Sequence, residues 1–272
     1  MRLLHISDLH FGRPAVPAQI EAIEALIQQE QFDVVAVSGD LSQRARAGEF
    51  QRAQVFLRDT QRVSRTIVVP GNHDVAWWRA PLGLRDRDRV YENYRLYVSD
   101  ELEPVLRLDG ATFVGVNTSH GVTHRTLTWN VRDISIIGDI TREQLDRVRR
   151  EFEQSPEGDA RIVVMHHNPV KGELSQRHGL KNTRKILGAF AEMAVDLILC
   201  GHDHQEAIHY IEHTRKGTVI STAGTVSSRS RGGRPSSMNA ITITPSTIDL
   251  VTLIWDKSNA AFTPGPTKCF ER

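Results

Sequence analysis

Ile67-Val68-Val69-Pro70-Gly71 runs directly into Asn72-His73-Asp74. A short β-branched run with no helical period reads as a strand buried on both faces. This one ends in three side chains able to bind a metal or move a proton. The pattern recurs along the chain. Leu3-Leu4-His5-Ile6-Ser7 leads to Asp8 and His10, and Val34-Val35-Ala36-Val37-Ser38-Gly39 leads to Asp40. Ile162-Val163-Val164-Met165 leads to His166 and His167, and Leu197-Ile198-Leu199-Cys200-Gly201 leads to His202 and His204. Open α/β sheets place their ligands beyond the carboxyl ends of their strands. Five such ends carrying Asp, Asn or His describe one polar site gathered from most of the chain.

Between these runs the period changes. Residues 17–30 put Ile20, Ile23, Leu26 and Ile27 on one helical face, and residues 47–61 do the same with Phe50, Ala53 and Leu57. Each segment separates two apolar strands, as a βαβ crossover does. A charged helical segment is expected over 87–98, strands over 104–118 and 131–138, and a helix starting at Thr141, where Gln144 completes a capping box. A strand over 161–166, a helix over 183–194 and a strand over 196–200 follow. After His204 the texture becomes short β-type runs at 206–213, 217–222, 238–244 and 247–255, expected as an antiparallel sheet packed on the parallel one. The fold class is therefore α/β, with four layers α-β-β-α: two mixed sheets flanked by helices. One domain spans 1–272, a motif-bearing βαβ part over 1–204 and a β-rich part over 205–272 that completes the second sheet.

Composition excludes several classes. In 272 residues, 34 basic and 33 acidic side chains nearly cancel, so no global basic footprint argues for nucleic acid. Only two cysteines occur, Cys200 within an apolar run and Cys269, which does not make a disulfide framework. No apolar stretch approaches membrane-spanning length, and no leader precedes the first motif; a cytoplasmic location is expected, with no membrane partner.

The donor set is mixed oxygen and nitrogen: carboxylates at Asp8 and Asp40, an amide at Asn72, imidazoles at His10, His166, His202 and His204. It suits Zn, Mn, Fe, Co or Ni. Seven donors are too many for one tetrahedral ion and suit two ions sharing a bridge. Such a pair retains excess positive charge, attracts an anionic substrate and lowers the pKa of bound water.

The set Asp8-x-His10, Gly39-Asp40, Gly71-Asn72-His73-Asp74, His166-His167 and Gly201-His202-Asp203-His204 resembles the calcineurin-like metallophosphoesterases in order and spacing. The motifs span residues 8 to 204. The resemblance implies that Asp8, His10 and His204 hold one ion, that Asn72, His166 and His202 hold the other, and that Asp40 bridges them. It makes His73 the group that stabilises the phosphate or protonates the leaving oxygen, with Asp74 orienting it. In the fourth block Asn168 stands where a proline is usual, ahead of Pro169; spacing from Pro169 favours His166 as the ligand over His167. The implied cofactors are two transition-metal ions, with Mn, Fe or Zn as candidates.

In size and motif style the chain looks most like the bacterial class III cyclic-nucleotide phosphodiesterases. That implies attack by a metal-bridging hydroxide on a small-molecule phosphodiester such as cAMP. A phosphomonoesterase, a nuclease, a nucleotide-lipid pyrophosphohydrolase and a non-catalytic binding scaffold are the alternatives. Nucleic acid is not favoured, and a homodimer is left open. For substrate contacts the candidates are Trp77, Asn117, His120 and His167. Each has a plainer structural explanation, in the packing of a loop or the turn after a strand. His5, His124, His178, His209 and His213 read as ordinary core or surface histidines. Residues 171–182 are a candidate lid with Lys171 or Arg177 near phosphate, and Arg229, Arg231 and Arg234 lie in what reads as a solvated loop, with a phosphate or partner contact as the sharper alternative.

Overall fold

The computed structural model describes residues 1–79, 87–121, 137–176, 179–213 and 217–272, and the side chains of 87 and 88 are not described. The strand expected over 131–138 falls almost wholly outside the described residues, as do His124, Arg177 and His178. Strand β1 (Arg2–Ile6) is followed by helix α1 (Pro17–Glu30), β2 (Val34–Val37), α2 (Ala47–Gln61) and β3 (Arg65–Val68). After α3 (Glu92–Tyr97) come β4 (Val105–Leu108), β5 (Ala111–Val116), α4 (Arg142–Glu153), β6 (Ala160–His167), α5 (Thr183–Glu192) and β7 (Leu197–Gly201). The rest is β8 (Ala207–Ile211), β9 (Thr218–Thr222), β10 (Ser237–Ile243), β11 (Thr247–Asp256) and β12 (Ala261–Glu271).

The helices form where the period of 3.6 predicts them. Pro17 opens α1 at a position whose N–H has no helical partner, and Ile23 and Ile27 are buried on its inner face. Helix α2 buries Phe50, Ala53, Phe56 and Leu57, and Glu49 Oε2 caps its start by accepting from the Arg44 and Arg46 amides at 2.8 and 3.3 Å. The capping box read at Thr141 is present: Thr141 Oγ1 accepts from the Gln144 amide at 3.2 Å, and Gln144 Oε1 accepts from the Thr141 amide at 2.8 Å.

Two six-stranded sheets result, in the orders β12-β11-β10-β1-β2-β3 and β4-β5-β6-β7-β9-β8. They pack face to face. Leu3, Val34, Ala36 and Ile67 of the first sheet meet Phe113, Ile162, Val164, Leu197 and Leu199 of the second. The opposite face of the first sheet (Leu4, Ile6, Val35, Val37) is covered by Ile23, Ile27, Phe50, Phe56 and Tyr94. The outer face of the second (Val114, Val163, Met165, Ile198) is covered by Leu145, Val148, Phe152, Ile186 and Phe190. Both faces of each central strand are buried, which is why the runs are apolar without alternation.

The C-terminal strands do not form a separate antiparallel sheet, nor do they complete the second sheet alone. Strands β10–β12 extend the first sheet, β10 running antiparallel to β1. Strands β8 and β9 extend the second, with β9 parallel to β7. Strand β12 carries an open alternation of polar and small residues around Pro264, Gly265 and Pro266, and it pairs only with β11 at a sheet edge, where proline is tolerated. No described helix is long and apolar enough to cross a membrane.

His5 behaves as an ordinary core histidine. It is fully buried between the sheets, its Nδ1 and Nε2 each 3.0 Å from the hydroxyls of Ser221 and Ser38. Burial, opposed by the Asp8 charge, pushes its pKa down to about 3. The unfolded chain therefore takes up a proton near pH 6.5 that the fold refuses, and stability is lost as pH falls below that value. Between pH 7 and 4.5 this costs about 3 kcal/mol. His5→Gln is expected to lose that much less stability over the same interval, measured as urea midpoints at the two pH values. An identical decline in both proteins would remove His5 as its cause.

Candidate metal centre

Strands β1, β2 and β3 run parallel in one sheet, and β6 and β7 run parallel in the other. Their carboxyl ends carry Asp8 and His10, Asp40, Asn72, His166, and His202 and His204 to one place. Two sets of donor atoms form there. Asp8 Oδ1 lies 3.0 Å from His204 Nε2, which lies 3.1 Å from His10 Nε2. His10 Nε2 is 3.6 Å from Asp8 Oδ1 and 3.7 Å from Asp40 Oδ2. In the second set, Asn72 Oδ1 is 3.0 Å from both His166 Nε2 and His202 Nδ1, and those two nitrogens are 3.3 Å apart. His166 Nε2 is 3.5 Å from Asp40 Oδ1. Asp40 thus offers one oxygen to each set.

The orientation of these atoms distinguishes a cation site from a hydrogen-bond network. His166 Nδ1 faces the Ser38 carbonyl at 2.8 Å, and His204 Nδ1 faces the Arg229 carbonyl at 3.1 Å. A ring N–H donating there leaves the Nε2 lone pair pointing inward. Asp8 Oδ2 accepts from Ser7 Oγ at 2.6 Å and from the His202 amide at 3.0 Å, leaving Oδ1 for the site. Asp8 Oδ1 and Asp40 Oδ2 are buried and accept no hydrogen bond. Acceptors therefore face acceptors. Donors bound to a common tetrahedral ion at roughly 2.0–2.2 Å stand about 3.3–3.6 Å apart, close to the separations here. The residues fit a pair of divalent transition ions.

Charge is held accordingly. Burial works to raise the Asp8 carboxyl, yet His204 and His10 bring it well below the ordinary carboxylate range. Burial likewise opposes Asp40, and His166, His73 and His10 lower it. His202, buried and next to His166, is pushed down to about 3, which suits a neutral metal ligand. Burial works against charge on His166, but Asp40 and Asp8 leave its pKa raised.

The backbone is strained where the donors sit. Asp8, His10, Asp40, His202 and His204 have φ of 56, 46, 53, 73 and 54°. A non-glycine residue held there costs about 1–3 kcal/mol. Gly39 has φ of 92°, and a Cβ on Gly71 would overlap Asp40. These two glycines let the second and third blocks touch.

His73 lies over the first set, its ring 4.9 Å from that of His10. Its amide donates to Asp40 Oδ1 at 2.8 Å, and its Nδ1 meets the Gln43 carbonyl at 2.8 Å. Burial lowers its pKa, with Asp40 opposing. Asp74 does not orient this ring. Its carboxylate accepts from the amides of Leu41, Ser42 and Gly71 and from Ser42 Oγ, at 2.7–3.1 Å, and so ties the second block to the third. Burial and then the Asp40 charge push the Asp74 carboxyl up to about 7 against those hydrogen bonds.

The candidate substrate contacts divide. Trp77, 39% exposed, and Trp78, 50% exposed, line a cavity beside His73. Asn117 does not line it: the side chain is buried, donating to Tyr91 Oη and accepting from the Ser119 amide, both at 2.9 Å. His120 lies away from that lining, against Asp139 and Gln144. His167 is buried, its Nδ1 2.7 Å from Thr118 Oγ1 and its ring 4.5 Å from that of His202. It offers a donor atom to the same cluster as His166 and His202, within 4.8 Å, and does not line the cavity.

Arg229 is not the solvated side chain that its Ser- and Gly-rich surroundings suggest. Its Nη1 lies 2.9 Å from Gln43 Oε1 and 3.3 Å from His73 Nε2. The signal that finds it is the run Thr218-Val219-Ile220-Ser221-Thr222. As a parallel strand, β9 has its carboxyl end on the same rim as the others, and Arg229 follows it.

Gly71→Ala is expected to lower the unfolding free energy by about 1–3 kcal/mol, as overpacking does. Gly48→Ala in α2, where a Cβ meets nothing within 4 Å, is expected to raise it by about 0.5–1 kcal/mol. Equal effects in chemical denaturation would contradict the close approach at Gly71.

The family described as calcineurin-like phosphoesterase matches residues 1–206. The 3',5'-cyclic adenosine monophosphate phosphodiesterase CpdA of Escherichia coli K12 is 25% identical over 221 residues, covering 76% of this chain and 70% of that protein. Its counterpart from Haemophilus influenzae is 26% identical over 219 residues, with the same coverages. Among solved structures, the purple acid phosphatase PPD1 of yellow lupin superimposes with a TM-score of 0.66 at 12% identity; all of this chain is covered, about half (54%) of that one. GAP50 of Plasmodium, described as the anchor in the inner membrane complex, gives 0.60 at 12% identity, covering 100% and 88%. These two likenesses concern the fold alone.

Proposed function

Because the chain belongs to the calcineurin-like phosphoesterase family, a family of metal-dependent phosphoric ester hydrolases, we propose that it is a two-ion phosphodiesterase. Asp8, His10 and His204 would hold one ion, Asn72, His166 and His202 the other, and Asp40 would be shared between them. The observation that carries this is the division of Asp40: Oδ2 faces His10 at 3.7 Å and Oδ1 faces His166 at 3.5 Å. Bound ions would neutralise phosphate charge and make water a nucleophile near neutral pH. The resemblance to enzymes described as cAMP phosphodiesterases supports a diester rather than a monoester substrate.

The chain's own groups supply the rest. The anionic diester is drawn to the excess positive charge and to the Arg229 guanidinium at the rim. His73 is fixed through Nδ1 to the Gln43 carbonyl, so only Nε2 faces the cavity. In the free protein, burial keeps this ring neutral, and Arg229 lies against Nε2. A phosphate held between Arg229 and His73 adds negative charge there and favours the proton on Nε2. From that atom the proton passes to the departing oxygen, as a general acid requires.

Three results test this. His73→Ala is expected to slow turnover by about 10²–10⁴-fold for alkoxide leaving groups and much less for p-nitrophenolate; equal losses would count against the acid role. Asp40→Asn is expected to reduce bound metal below one equivalent, because both ions lose the shared carboxylate. Unchanged metal content would refute the bridge. Chelation is expected to abolish hydrolysis and added Mn to restore it.

A further inference from the structure

The cavity beside His73 has a volume of about 940 Å³. Arg44, Arg46, Arg79 and Arg229 line it together with Trp77 and Trp78, and among the described residues no Asp or Glu does. Arg79 is neutralised by an ion pair with Glu92. Arg44 and Arg46 have no carboxylate partner among the described residues, and Arg229 has only Gln43 and His73 at its guanidinium. Among the described residues, three arginines without a carboxylate partner therefore line the cavity.

Arg44 and Arg46 project from a segment held rigidly. Between them, buried Ala45 has φ of 49°, a conformation costly for alanine. It is retained by hydrogen bonds on every side. The Ala45 amide donates to Ser42 Oγ at 3.1 Å, its carbonyl accepts from Asn93 Nδ2 at 2.7 Å, and the amides of Arg44 and Arg46 donate to Glu49 Oε2. A segment pinned in this way offers both guanidinium groups from fixed stems, which suits phosphate capture. In the same lining, Trp77 and Trp78 meet edge to face with ring centroids 5.9 Å apart and remain 39% and 50% exposed. Exposed indole next to cationic groups is a platform for a planar base.

A cyclic mononucleotide carries one negative charge, and the ion centre with Arg229 meets that charge fully. The guanidinium groups of Arg44 and Arg46 then have no ion-pair partner among the described residues. On the basis of the phosphodiesterase function above, we propose that the cavity takes a linear nucleotide phosphodiester bearing a second phosphate group. The scissile phosphate sits between the ion centre and Arg229, a base stacks on Trp77, and the second phosphate pairs with Arg44 and Arg46.

The test uses the full chain loaded with Mn and a deoxyadenosine dinucleotide with and without a 5'-phosphate. The phosphorylated dinucleotide is expected to be hydrolysed with a kcat/KM at least tenfold higher, and the Arg44→Ala/Arg46→Ala protein to lose that ratio. A second readout needs no metal and no turnover. In chelated protein, adenosine 3',5'-bisphosphate is expected to quench tryptophan fluorescence with a Kd at least tenfold below that of adenosine monophosphate. Trp77→Ala is expected to abolish the quench. Equal rates and equal affinities for one and two phosphates would overturn the proposal. Bis-p-nitrophenyl phosphate separates the two claims: its turnover with equal dinucleotide rates overturns only the substrate class, whereas no turnover of any ester overturns the phosphodiesterase function.

Discussion

Side-chain oxygen and nitrogen atoms of Asp8, His10, Asp40, Asn72, His166, His202 and His204 converge at one place where two sheets meet, and the rest of the structure answers to that. Oxygen and nitrogen acceptors 3.0–3.7 Å apart repel one another unless positive charge lies among them. Two of these atoms, on Asp8 and Asp40, are buried without any hydrogen-bond donor. Such a cluster is costly to bury, and it persists because strand ends from two sheets are locked in place behind it. The inter-sheet core of Leu3, Val34, Ile67, Ile162 and Leu197 fixes where those ends meet. The positive φ of five donor residues is part of the same cost. Bound cations would offset both, so stability and metal occupancy are linked.

The inner layer around the donors divides the labour. Backbone carbonyls of Ser38 and Arg229 set the tautomers of His166 and His204. Asp74 fastens the turn after β2 to the turn after β3, and Gly71 allows Asp40 to pass between them. His73 and Arg229 stand at the rim, one over the other, both tied to Gln43. Gln43 belongs to the same segment as Arg44 and Arg46, so the group that fixes the His73 ring is continuous with the lining of the cavity.

The sequence discloses the ion site better than the cavity, for a physical reason. A buried parallel strand cannot hide: Val34–Val37 or Leu197–Cys200 are apolar because both faces are covered, and their ends follow by direction. Helices α1 and α2 are legible from period alone, and α4 also from the Thr141 cap. After His204, short runs such as Thr218–Thr222 look alike in parallel and antiparallel pairing, so the sequence does not say that β9 ends on the rim and that Arg229, rather than Arg231 or Arg234, reaches His73. Strand β12 is not legible in the sequence, because an edge strand with Pro264 and Pro266 lacks any burial pattern. Asn117 and His120 end a strand on the same rim, but adjacent hydrogen bonds to Tyr91, Ser119 and Asp139 turn them inward. Contacts made by backbone atoms, such as the Gln43 carbonyl at His73, leave no trace in residue identity.

The central claim is that two ions share Asp40. Anomalous diffraction from Mn-loaded crystals locates them directly. The expected map has two peaks about 3.5–4 Å apart, one among Asp8, His10 and His204 and one among Asn72, His166 and His202, with an Asp40 oxygen at each. A single peak, or two peaks of which one is coordinated by His167 and not by Asp40, would contradict it.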